Sequence, residues 1–195
     1  MTGKPTIRQA RREGKAAGED DPLTSTADIP AILSFINMAQ CEEDPSAQVK
    51  ATEAKLEAII HLDDGPPAAP GEPSRRFAWA LIIESPAGEV AGHAMYYYIC
   101  SAWRGEPGIF LEELFVLPQH RRSGYGRLLI QALAAEARRS GCTRLEWNCY
   151  RDNEKALRFY GSLGATRMDN WVTLRLLDGD VERLAEEAAG GGTTR

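Results

Sequence analysis

The chain has 195 residues, of which 26% are charged and 43% hydrophobic, and its formal net charge is −5. That length fits one domain with a substantial core, and the composition is that of an ordinary globular protein. The acidic balance weighs against nucleic acid and anionic membranes as partners, no stretch reaches transmembrane length, and the Met-Thr-Gly-Lys-Pro start has no apolar signal region.

Cys41, Cys100, Cys142 and Cys149 form no close Cys-x-x-Cys pair, and His61, His93 and His120 are scattered. No metal site is expected from that spacing. The cysteines read as core residues of a protein in a reducing, cytoplasmic setting.

Residues 6–10 can form a first strand, and polar residues 11–26 read as an exposed insertion. Thr26 or Asp28 can cap a helix with Pro30 in its first turn. Ile29, Ile32, Leu33, Ile36 and Met38 give its apolar side, which fades near Gln40 into an acidic corner at 41–44. A second helix is predicted over 52–60, with Ala54, Leu56, Ile59 and Ile60 inward. The four prolines of 63–74 make an extended loop. Residues 77–85 and 89–100 are predicted strands joined by the turn at Pro86-Ala-Gly88. The second carries Tyr96, Tyr97 and Tyr98, which either pack in the core and its rim or line a channel. Residues 101–108, with Trp103, read as a loop.

The most informative stretch follows. Residues 109–117 are apolar apart from Glu112 and Glu113, and Pro118 ends the strand. A short basic loop, Arg121-Arg122-Ser123-Gly124-Tyr125-Gly126, leads into a helix. The helical spacing runs through Tyr125, Leu128, Leu129, Ala132, Leu133 and Ala137, and Gly141 closes it. A glycine turn entering a helix offers free N–H groups at the positive end of the dipole, an anion site. The bland alternative is an ordinary strand–helix turn with solvated arginines. The loop has neither the third glycine of a dinucleotide fingerprint nor a Gly-Lys-Ser/Thr. Residues 144–150 are a further strand, Asn153 caps a helix that ends at Gly164, and 172–177 read as a last strand. Residues 178–189 can be helical, and 190–195 read as a disordered end.

Two neighbouring carboxylates in an apolar strand face opposite sides unless a bulge intervenes, and a buried carboxylate is unfavourable unless paired or used. One of Glu112 and Glu113 can therefore simply face solvent.

Three motifs, in order, carry a resemblance. They are Gly92-His-Ala-Met-Tyr-Tyr-Tyr98, the strand 110–116 with Arg121-x-x-Gly124-x-Gly126, and Asn153-x-x-Ala-x-x-Phe159-Tyr160-x-x-Leu-Gly-Ala165. Together they resemble the GCN5-related N-acetyltransferase (GNAT) superfamily, most of all its diamine acetyltransferases, which include the spermidine/spermine and thialysine enzymes. The resemblance spans about 77–177. It implies an α/β fold, a mixed central sheet with helices on both faces, as a single domain over 1–195 whose core is about 6–177.

It also implies acetyl transfer from acetyl-CoA to a primary amine of a small cationic substrate, by direct attack and without a metal. A protein or peptide N-acetyltransferase and a non-catalytic acyl-CoA-binding module are the alternatives. By position, Glu112 matches the general base and Tyr160 the group that protonates the departing thiolate. A phenol near ~10 sits close enough to a thiol near ~8.5 for that transfer. Backbone N–H groups of Leu114 and Val116 match those holding the acetyl oxygen and pantetheine. Arg121, Arg122, Ser123, Gly124, Tyr125 and Gly126 match the pyrophosphate loop, and Asn153 a further cofactor contact. Glu113 matches the acidic residue holding the substrate's cationic nitrogens, where the polyamine enzymes typically have Asp. Glu42, Trp103 and Trp171 are further substrate-side positions, and the resemblance implies a homodimer.

Overall fold

The computed structural model describes residues 3–12, 28–62 and 76–190. The expectations for the insertion at 13–26, a cap at Thr26, the loop at 63–74 and the end at 191–195 lie outside the described residues. The chain forms two compact units, Met1–Asn148 and Cys149–Arg195.

The first unit is built on a six-stranded sheet: β1 (Thr6–Gln9), β2 (Ile60–His61), β3 (Ala78–Glu84), β4 (Val90–Ser101), β5 (Glu106–Val116) and β6 (Leu145–Trp147). Its order is β1-β3-β4-β5-β6, with β2 also pairing β3. The β1-β3-β4-β5 pairs are antiparallel, whereas β2 runs parallel to β3 and β6 parallel to β5. Three helices complete the unit: α1 (Asp28–Glu43), α2 (Glu53–Ile59) and α3 (Tyr125–Arg139).

Successive strand residues point to opposite faces. Met95 joins Ala80 and Ile82 in a core cluster with Ile29 and Ile32 of α1 and Leu56 of α2. Its neighbour Tyr96 turns the other way, beside Trp79 and Tyr98, and the Tyr98 hydroxyl reaches Glu136 of α3. The sheet is therefore mixed and carries helices on both faces.

Several local expectations change. Asp28 is buried and directs its carboxylate to Arg8, 2.6 and 3.0 Å, and to the Arg11 N–H. That pins the start of α1 to β1. Helix α1 does not fade at Gln40 but runs through Glu43, so the acidic corner is its last turn. Phe35, absent from the expected apolar side, is buried. In α2, Thr52 caps through Lys55 N–H, Leu56 is buried, and Ala54 and Ile59 face out. Only Cys142 of the four free cysteines is buried, so the others are not core residues.

In the second unit, α4 (Glu154–Gly161) and α5 (Asp178–Gly190) are helical. The last strand expected at 172–177 is not formed. Val172, Leu174 and Leu176 alternate as a strand would, but the segment has no ladder partner among the described residues, and a lone strand leaves its backbone groups unpaired.

Candidate functional site

The site in the first unit is made by an irregularity in β5. Met95 lies opposite Glu113, and the next residue, Tyr96, lies opposite Leu111. Glu112 is thus an extra residue with no cross-strand partner, a β-bulge. The bulge removes the strict alternation that would separate the two glutamates. Glu113 lies on the α1 face, because its charge acts on Glu43 at the end of that helix. Glu112 acts on Tyr97, which shares the face of Met95 and His93. Both carboxylates therefore serve the α1 side. Glu112 is exposed; Glu113 is half-buried.

The same strand has an open edge. Leu117 N–H donates to Ala91 O at 2.9 Å. In an antiparallel pair hydrogen-bonded and non-hydrogen-bonded positions alternate, so Val116 and Leu114 turn their N–H groups away from β4. Consistently, the Val116 carbonyl accepts from Arg121 Nε at 2.8 Å on that outer side. Strand β6 covers β5 only at Ile109–Leu111, so no described strand pairs the outer edge at Leu114 and Val116. Two N–H donors on a rigid strand are thereby left for an oxygen acceptor.

After β5 a single turn, Pro118–His120, leads into the basic loop. Arg122 has φ 65° and Gly124 φ 86°. Positive φ is unfavourable for a residue with a Cβ, so Arg122 is strained, whereas Gly124 adopts it freely. Gly124 precedes the 15-residue α3 and provides no side-chain cap, and no acidic residue stands in the first turn. The first N–H groups of α3 are open to an anion and add to the dipole. This loop fits a diphosphate in its donors and its charge. Arg122, Ser123 and Gly124 are exposed there, while Tyr125 is buried and stacks on His120 at 5.5 Å. Arg121 is committed within the protein. It bonds Val116 O, pairs with Glu42 at 2.7 Å and lies 5.1 Å over the Phe115 ring. It braces the loop against β5 and α1.

Of the substrate-side expectations, Glu42 is thus held by Arg121, and its neighbour Glu43 is the carboxyl coupled to Glu113. Desolvation first, then the charges of Glu113 and Glu42, push Glu43 above the ordinary carboxylate range. Trp103 is 92% exposed in the turn before β5. The tyrosine triplet divides between the faces. Tyr96 is buried, accepts from Gln9 Nε2 at 3.0 Å and is pushed up to about 12, mainly by desolvation. Tyr98 is tied to Glu136 and Ser140. Tyr97 stacks on Phe110 at 5.1 Å on the carboxylate face, and desolvation followed by Glu112 raises its hydroxyl.

In the second unit, Asn153 caps α4 by accepting from Ala156 N–H at 3.0 Å. Tyr160 lies in its last turn, 5.2 Å from Phe159 ring to ring. Helix α4 stops at Gly161, short of the expected end at Gly164; Gly164, at φ 87°, donates to Gly161 O, and Ala165 N–H returns to Tyr160 O in the turn that follows. Trp171 is exposed in an irregular segment. Among the described residues no group of His, Cys, Asp and Glu side chains could hold a metal ion.

Sequence reasoning missed His93, whose only signal was a histidine inside an apolar run. It is fully buried, with Nε2 3.3 Å from Glu113 Oε1.

Compared with known proteins, residues 40–165 match the Acetyltransferase (GNAT) family. The chain is 34% identical over 105 residues to a thialysine N-epsilon-acetyltransferase of Mus musculus. That match covers 52% of this chain and 61% of the mouse protein, less than two thirds of its length. It is 32% identical over 168 residues to the Bos taurus thialysine N-epsilon-acetyltransferase, covering 81% of this chain and 92% of that protein. Among solved structures, an integron cassette protein from the mobile metagenome of V. cholerae superposes with TM-score 0.66 at 20% identity, covering 95% of this chain and 99% of that one. That likeness concerns the fold.

Proposed function

The chain belongs to the acetyltransferase (GNAT) family, and from that premise we propose that it transfers the acetyl group of acetyl-CoA to a primary amine of a small cationic substrate. The observation that carries this reading is the bulge at Glu112, which gives two carboxylates to one face of a strand whose other edge offers free N–H groups.

An ammonium is not a nucleophile, so the amine must first lose a proton. Glu112, exposed on the bulge, is the proposed base, acting directly or through water. Glu113 and Glu43 are the proposed anchors for positive charge on the rest of the substrate. The outward N–H groups of Leu114 and Val116 would hold the oxygen that gains charge during transfer, fixed in place before reaction. The Gly124 turn and the start of α3 would hold the diphosphate of acetyl-CoA. By the resemblance, Tyr160 supplies the proton taken up by the departing thiolate.

The acidic end of α1 and relatives named for thialysine, an amine of lysine-like length, support this substrate class. A diamine, a polyamine or a lysine-like amino acid fits. A homodimer is proposed on the resemblance alone, and light scattering measures it.

The test is thiol release from acetyl-CoA with thialysine, spermidine, an alkyl monoamine and a lysine peptide, each corrected for the protein's four cysteines. Turnover on the small cationic amines is expected. Turnover on the peptide alone would replace this reading with a peptide acetyltransferase, and acetyl-CoA binding with no turnover would leave a binding module. Glu112→Gln should lower kcat by about a hundredfold or more, the usual size of a general-base contribution. Wild-type turnover in that variant rejects Glu112 as base.

A further inference from the structure

His93 stands on the α1 face of β4, opposite Phe115, one step along that face from the Met95–Glu113 pair. It is 0% exposed, and neither ring nitrogen has a geometrically sound hydrogen bond among the described residues. Glu113 Oε1 is in the same condition. The two unsatisfied atoms face each other at 3.3 Å. Burying an imidazole without partners is unfavourable, and an apolar ring would fill this place without that penalty. Phe35 of α1 packs on the imidazole at 5.4 Å and stacks on Phe115 at 5.6 Å, so the ring is clamped.

The charged groups around it are few. Glu113 comes from β5 and acts on Glu43 at the end of α1. Helix α1 ends in Glu42 and Glu43 with no basic residue in its last turn, the reverse of what the helix dipole favours. Arg121 neutralises Glu42. Among the described residues no Arg or Lys pairs with Glu43 or Glu113. Among the described residues, the Glu43 and Glu113 carboxyls thus stand without a cation.

We propose that His93 is a positioning residue for Glu113: its Nε2–H holds Oε1, and the remaining oxygen is aimed at the second ammonium of a diamine. Only the Nε2–H tautomer offers a donor here; the other would set a lone pair against a carboxylate. His93 would thereby set the preference for diamines over monoamines. This rests on the small-amine reading given above.

The test compares 1,5-diaminopentane with pentylamine in wild type, His93→Phe, His93→Gln, Glu113→Gln and the double variant His93→Phe/Glu113→Gln. In His93→Phe the diamine-to-monoamine KM ratio should rise about tenfold, as for loss of one charge-assisted hydrogen bond, with the effect on KM rather than kcat. His93→Gln, which keeps a side-chain N–H, should restore most of the ratio. The double variant should match Glu113→Gln, since the two residues act as one. Independently of turnover, nitrogen NMR on histidine-labelled protein should give the signal that His93→Phe removes as an Nε2–H tautomer that shifts in Glu113→Gln. An Nδ1–H tautomer, or equal KM changes for both amines, overturns the proposal while leaving the amine reading in place. Failure of wild type to acetylate either amine overturns the proposal, and failure on thialysine and spermidine as well overturns the small-amine reading.

Discussion

Glu113 and Glu136 are carboxylates on opposite sides of one sheet, with side chains 19% and 10% exposed. Glu136, on α3, is surrounded by donors. The Tyr98 hydroxyl donates at 2.5 Å, Arg139 at 2.7 Å and Ser140 at 2.8 Å. Desolvation works to raise its carboxyl, but the bonds from Tyr98, Arg139 and Ser140 outweigh it and hold the group below the ordinary range. Glu113 Oε1 has, among the described residues, only the poorly aligned His93 nitrogen, and the charge of Glu113 raises Glu43. A carboxylate whose lone pairs are filled by the protein stabilises the fold. One left with open acceptors and a like-charged neighbour is suited to a cation from outside. The degree of satisfaction separates the two roles where burial alone does not.

The comparison is tested most strongly at Glu136. Glu136→Gln should lower stability by about 2 kcal/mol at pH 7, the scale of a hydrogen-bonded charge, with the small-amine KM following wild type. Because the folded carboxyl lies below its unfolded value, the stability it contributes is present above the unfolded value near ~4.3 and is lost as pH falls through the folded one. Urea titrations should therefore show a full gap between variant and wild type at neutral pH that closes in acid. A gap independent of pH would mean that packing, not charge, sets the difference.

Tyr98→Phe probes the same face more gently. It removes one donor to Glu136 and the contact with Ser140 while Arg139 remains. A loss of about 1 kcal/mol in the same titration is expected. If instead the amine KM rises with stability intact, Tyr98 lines the substrate route and the division between the faces fails.

The sequence made one half of this contrast readable and hid the other. The strand–turn–helix over 109–139 was legible because the apolar period changes from strand to helix at a glycine turn, and Gly141 holds the left-handed position expected of the residue that closes the helix, whereas 106–108, expected in a loop, extend the strand. Glu112 and Glu113 were visible as charges in an apolar strand, but the bulge that turns both to one face depends on β4 register, which no local pattern encodes. Phe35 and His93 were missed for a related reason: each is explained by neighbours twenty or more residues away. The alternation at 172–177 was real, yet a strand is defined by its partner, and the sequence does not name one. Arg121 was read as a phosphate ligand by position, and only packing reveals its ties to Glu42, Val116 and Phe115.

The smallest effect is the most telling, because its sign is reversed. Glu113→Gln removes a charge that repels Glu43. Glu43 has its folded carboxyl above the unfolded value, so the stability linked to it is present below ~4.3 and is lost as pH rises through the folded value. The repulsion between the two carboxylates opposes folding. Glu113→Gln should relieve it, raising stability at pH 7 by no more than about 0.5 kcal/mol, since Glu43 reaches solvent and the interaction is screened. The gain should disappear near pH 4 and shrink with added salt. Glu136→Gln must move the other way at neutral pH in the same buffers. If both substitutions destabilise alike, Glu113 is a structural carboxylate after all, and the α1 side loses its claim to be the place where a cation binds.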